Sequence, residues 1–258
     1  MLKVLAIAGN TMREARRHRI FYSILFFALL IILNSFLFTE LTIATYDRIL
    51  RDVGTSAIDF FGVLLAIFLG VGMVSREVDR RTVYTVVTKP IRRAHFILGK
   101  FVGLTGVLVV TLALMFACFV AVVVLTPGFD APNYATLGWF LVLRVVELSI
   151  LVAFAILMST FTTSALAAFF TIGIYLIGHL SSDLYFFGSR SESAMVKWIS
   201  SALYYVLPNL GRFNVSQHIA YNTPVAASFA GASILYGFLY VAVFLIAAVV
   251  VFERRDFK

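Results

Sequence analysis

The stretch Ser75-Arg-Glu-Val-Asp-Arg-Arg-Thr-Val-Tyr-Thr-Val-Val-Thr-Lys-Pro-Ile-Arg-Arg-Ala-His-Phe-Ile-Leu-Gly-Lys100 decides how this 258-residue chain is read, because it sets a basic, proline-broken loop between two apolar runs. Those runs, 58–74 and 96–126, approach or exceed the roughly 20 residues that a helix needs to cross a bilayer. Working outward, similar runs occupy 20–39, 137–158, 164–187 and 228–252, which makes six. Composition agrees: 61% of residues are hydrophobic and 13% charged, against about 45–50% and about 25% in a soluble domain, which excludes a water-soluble globule. In hydrocarbon every backbone amide needs an internal partner, and runs this long suit helices rather than barrel strands. The sequence predicts an all-α integral membrane protein of six spans, one membrane domain over 1–258 with no room for a second.

Charge sets the orientation. The segments 3–19, 76–100 and 254–258 hold fifteen of the 21 Lys and Arg, and with six spans all three fall on one side. The other side keeps only Arg48, Arg51, Arg190, Lys197 and Arg212, while Arg144 lies inside a span. By the positive-inside rule both termini and the 75–95 loop are cytoplasmic. The first run is too long for a signal h-region and lacks a small-x-small cleavage site, so it reads as a retained span. The net charge of +8 does not indicate nucleic acid, since the 26 Phe sit in apolar runs and are not interleaved with basic residues. The single cysteine, Cys118, lies in a span, so an intrachain disulfide and a thiolate metal cluster are both excluded.

Three stretches outside the spans carry further expectations. Residues 1–19 place Leu2, Leu5, Met12 and Ala15 near one helical face and Lys3, Arg13 and Arg17 away from it, the pattern of an interfacial helix; a basic topological anchor is the alternative. Residues 188–225 are too apolar for a free loop, with Trp198, Tyr204 and Tyr205 ahead of Pro208, and predict short helices re-entering the outer interface. The 75–95 loop opens with Glu77 and Asp79 and carries a stripe of Val83, Val86 and Val87, so it reads as a surface helix of about 21 Å that bends at Lys89-Pro90. Its valines call for a protein partner more than for lipid headgroups, although the arginines also suit anionic lipid.

Here the residues resemble a known family. Glu77, Arg81-Thr82, Lys89-Pro90, Arg93 and Gly99-Lys100 look like the loop between the second and third spans of type-2 ABC transporter permeases. Glu147 with Ser159-Thr-Phe-Thr-Thr163 resembles that family's fourth span and its exit, and Phe252-Glu-Arg-Arg-Asp-Phe257 resembles its ending. The resemblance implies the membrane subunit of an exporter in the cytoplasmic (inner) membrane of a bacterium. Such a subunit pairs with a second copy of itself and is driven by two cytosolic ATPase subunits. The loop would be a coupling helix seated on the ATPase, with Glu77, Arg80, Arg81, Thr82, Val83 and Val86 at or near that surface and Lys89, Pro90 and Arg93 at the bend. By the same resemblance the first, second and fifth spans line the dimer interface. No Gly-x4-Gly-Lys-Ser/Thr occurs, so ATP and Mg belong to the partner chain, and this chain is not an enzyme. Some relatives, such as the permease of the nitrous oxide reductase maturation system, resemble a second arrangement. There a non-transporting anchor passes ATPase motion to an extracytoplasmic protein, for which 188–225 would be the platform.

Inside the bilayer, Arg144 and Glu147 stand three apart and near mid-depth of the fourth span, where each charge costs at least about 2.5–3.5 kcal/mol. They read either as an ion pair fixing the bundle or as a polar contact on a route through it. His179 and Asp183 have ligand-compatible spacing, but two groups without a Cys, His or Met cluster predict a polar pair and no metal site. Ser181, His218 and Asp183 lack a nucleophile-elbow motif and predict no hydrolase. Asn214-Val-Ser216 matches a glycosylation sequon by chance. Gly62, Gly70 and Gly72, Gly99-x3-Gly103 and Ala227-x3-Gly231 mark places for close helix approach.

Overall fold

The computed structural model describes residues 2–17, 19–34, 46–79, 93–126 and 132–254. Among them are nine α-helices and no strand: α1 (Leu2–Arg16), α2 (Arg19–Asn34), α3 (Tyr46–Asp79), α4 (Arg93–Leu125), α5 (Tyr134–Ser159), α6 (Ser164–Arg190), α7 (Ala194–Val206), α8 (Ser216–Ala220) and α9 (Ala227–Arg254), with a 3-10 turn at Leu210–Phe213. Five of these, α3 to α6 and α9, are long and apolar enough to cross a membrane. The expected first span is met only by α2, whose 16 described residues reach about 24 Å, short of the roughly 30 Å hydrocarbon core. The remainder of that expected span, 35–39, lies outside the described residues.

Helix α5 forms the axis of the bundle. Every residue from Val146 to Ala153 is buried, and α3, α4, α6 and α9 all pack around it. Close approach depends on missing side chains. A Cβ on Gly70 of α3 would stand 2.8 Å from the Cβ of Ala155, and one on Gly62 would stand 3.0 Å from Leu148. Ala227-x3-Gly231 does not serve in this way: nothing lies within 4 Å of a Cβ at Gly231. Gly237, two turns later, is the α9 residue that lets Val146 and Phe213 in.

Helix α3 begins twelve residues before the expected 58 and runs on to Asp79. Nothing from Ser75 to Asp79 breaks a helix, so the turn bearing Glu77 continues the span and does not open a separate coupling helix. Side chains from 73 to 79 and all of 80–92, which carry Arg80, Arg81, Thr82, Val83, Val86, Lys89 and Pro90, lie outside the described residues.

Helix α1 packs Met12 and Ala15 of its expected face against protein and leaves Leu5 of that face outside, 63% exposed; Ala8 and Thr11 are buried as well. The partner is the start of α4, where Cβ atoms on Gly99 and Gly103 would each come within 2.7 Å of Ile7 and Thr11 respectively. Lipid offers no hydrophobic drive for two helices to associate, so small residues that admit the neighbouring backbone select the contact. The longest apolar side chain therefore need not face inward. Arg13 and Arg17 stay exposed, as the pattern predicts, and Lys100, 2% exposed, reaches Glu14 at 3.7 Å.

The 188–225 segment folds as short helices, as expected, but its two halves differ. In α7, Met195, Trp198 and Tyr205 are largely exposed, and the helix docks on the end of α6 through Tyr185 and Tyr204, whose rings are 4.7 Å apart. Beyond Pro208 the chain re-enters the bundle. Leu210 seats against Gly178, and Phe213, Val215 and Ile219 join the main core. The turn is closed by Asn222, at φ 51°, whose side-chain oxygen accepts from the Asn133 amide at 2.9 Å.

Candidate functional site

At the level of mid-α5, four elements converge on Arg144. The guanidinium donates to Glu147 at 2.5 Å on its own helix and reaches Asp59 of α3 at 2.8 Å. Asp59 also accepts from the Ser216 hydroxyl of α8 at 3.3 Å. From α6, His179 Nε2 stands 3.5 Å from Glu147 Oε1, while its Nδ1 lies 3.2 Å from the Tyr175 carbonyl. Arg144 is 1% exposed and Glu147 fully buried. Charges at this depth persist only with partners, and Arg144 gives each carboxylate one, its two terminal nitrogens reaching Glu147 and Asp59.

The expected pair Arg144 and Glu147 is therefore present, inside a larger cluster. Asp59 escaped notice because a span beginning at Ile58 places it at the membrane edge. Its signal was nevertheless the one that marked Arg144, a lone charge in an apolar run. His179 does not pair with Asp183, which is exposed; it turns to Glu147. Ser181 is buried with its hydroxyl on the Gly178 carbonyl, and His218 sits by Thr223, so neither joins a hydrolytic set. Ser216 of the sequon is spent on Asp59. Among the described residues no group of three or more His, Cys, Asp and Glu side chains is arranged to hold a metal.

Beside the cluster lies an apolar cleft of about 580 Å³ between α3 and α6, with Phe21 of α2 at one edge. Phe60, Leu64 and Phe68 form one wall and Ile172, Tyr175 and Leu176 the other. Tyr175 thus belongs to both features: its side chain lines the cleft and its carbonyl holds His179.

The end of the bundle that carries the 75–95 loop is tied by Arg93, the one residue expected at the loop's bend whose side chain is described. Its guanidinium donates at 2.9 Å to the carbonyls of Phe252 and Glu253, capping the last turn of α9 as a cation should. Phe96 stacks on Phe252 at 5.8 Å. Three separate stretches that carried the resemblance, around Arg93, at Gly99-Lys100 and at Phe252, therefore form one structural joint with α1.

The sequence model of the ABC-2 family transporter proteins matches residues 32–257. The chain belongs to that family. No curated protein matches it. As an ABC-2 family protein it is an integral, multi-pass membrane component of an ABC transporter, and it works with an ABC ATPase subunit.

Proposed function

We propose that two copies of this ABC-2 permease form the membrane part of an exporter. Two cytosolic ATPases, which hold ATP and Mg, drive it through the 75–95 loop. The carrying observation is the family match over 32–257. In this reading the chain has six spans with both termini cytoplasmic, in a bacterial inner membrane. The gathering of α1, the start of α4 and the end of α9 at one end of the bundle supports it, because the basic segments then share that end. What supports pairing of two copies is the cleft, lined by α2, α3 and α6, the elements that correspond to the first, second and fifth spans. ATP binding would draw the ATPases together and push the loop, shifting α3 and α4 against the axis helix. The test is co-purification in mild detergent. Glu77→Ala or Arg81→Glu weakens capture of the ATPase or uncouples its turnover; unchanged assembly and turnover would remove the coupling role.

The exposed, aromatic face of α7, with Trp198 73% exposed, favours a second reading, an anchor that passes ATPase motion to an extracytoplasmic protein as in the nitrous oxide reductase maturation system. Liposomes that hydrolyse ATP and move nothing, while retaining an external protein, decide for the anchor.

A further inference from the structure

The cluster around Arg144 is one charge out of balance. Arg144 supplies one positive charge and Asp59 and Glu147 two negative ones, at positions where an uncompensated charge is costly. Among the described residues no second Lys or Arg pairs with Asp59 or Glu147. The buried face of α9 carries no ionisable group, and that of α4 carries only Lys100, which faces Glu14. From α3 the group facing the cluster is Asp59, from α6 Tyr175 and His179, and from α8 only the Ser216 hydroxyl.

The geometry shows where a compensating proton belongs. Arg144 occupies Glu147 Oε2, and two carboxylate oxygens of the cluster, Asp59 Oδ1 and Glu147 Oε1, are buried without a hydrogen-bond donor; of the two, Glu147 Oε1 has a titratable nitrogen beside it. The polar atom opposite it is His179 Nε2, at 3.5 Å. On the far side of the same ring, Nδ1 meets the Tyr175 carbonyl, which can only accept, so Nδ1 carries a hydrogen. A neutral ring would then point the bare lone pair of Nε2 at a carboxylate oxygen. One proton between the two atoms removes that repulsion, satisfies Oε1 and brings the cluster to neutrality.

We propose that Glu147 and His179 form a proton-binding site, in which one exchangeable proton between Glu147 Oε1 and His179 Nε2 latches α6, the cleft wall, to the axis helix α5. His179 is 22% exposed while Glu147 is not exposed at all, so a proton exchanged by the site passes by way of the imidazole. Separation of α6 from α5 releases the proton, and docking takes it up. The site requires no cargo and stands whichever reading of the function holds.

The test is thermal unfolding of the full chain in lipid nanodiscs from about pH 6 to about pH 9. The docked cluster keeps a proton that an unfolded chain, with His titrating near about 6.5, has given up above that value. Wild-type melting temperature therefore falls by a few degrees as pH rises through this range. Glu147→Gln removes the excess charge and offers His179 Nε2 an amide hydrogen, so its melting temperature is flat with pH. His218→Gln, which lies outside the cluster, keeps the wild-type slope. Equal slopes in wild type and Glu147→Gln overturn the proposal, as does a wild-type dependence on Na or K in place of pH. Should Glu147→Gln not fold, nitrogen-15 spectra of the histidines decide, with the His179 signal assigned by its loss in His179→Gln. A bonded Nε2 at neutral pH supports the site and a bare Nε2 overturns it.

Discussion

Helices α5 and α9 are both long and both strongly apolar, yet 78% of the membrane-crossing window of α5 is buried in protein against 22% of that of α9. Apolarity places a helix in the bilayer but does not say whether its neighbours are lipid or protein. What separates the two is the pair of charges. Arg144 and Glu147 forbid lipid on their side of α5, while α9 has no Asp, Glu, Lys, Arg or His between Ala227 and Val251 and tolerates lipid on most of its surface.

The sharpest way to break this contrast is Arg144→Ala, which strands two buried carboxylates. It is expected to cost about 3–5 kcal/mol of stability in thermal or denaturant unfolding, and combining it with Glu147→Ala should recover part of that loss. A strictly additive double-mutant cycle would show that the two residues do not interact. Next in size, Gly70→Leu overfills the seam between α3 and α5 and should cost about 1–3 kcal/mol, while Gly231→Leu on α9 should stay within about 0.5 kcal/mol. Equal losses would show that α9 is packed as tightly as α5. Arg93→Ala uncaps α9 and is expected to cost about 1 kcal/mol, visible as faster amide hydrogen exchange near Phe252. Smallest of all, Glu14→Gln, at a half-exposed acid, should change stability by less than about 1 kcal/mol.

How far the sequence reaches follows from the same contrast. Apolar runs announced the spans that α3 to α6 and α9 supply, and spacing along one helix announced Arg144 with Glu147, since three residues apart is one face. Asp59 and His179 were missed as members of the cluster because the register between helices is set by packing and not by any local pattern. The contact of α1 with α4 was missed for a related reason. An amphipathic pattern shows which residues avoid water but not which of them meet protein, and α1 meets α4 through Ala8, Thr11 and two glycines and leaves Leu5 outside. The family signature at Gly99-Lys100 marked the basic entry to a span, and Gly99-x3-Gly103 a place for close helix approach. In the structure it is the footing of α1.

One feature of α3 has mechanical weight. Its 34 residues make an unbroken shaft of about 51 Å, with no proline or cis bond to absorb a bend. Swung through roughly 10° about one end, such a shaft carries its other end sideways by about 9 Å. A displacement at the tip beyond Val74 is therefore carried across the thickness of the membrane, shrinking in proportion towards the pivot, and Asp59, fixed partway along the shaft, shifts against Arg144 in the same stroke.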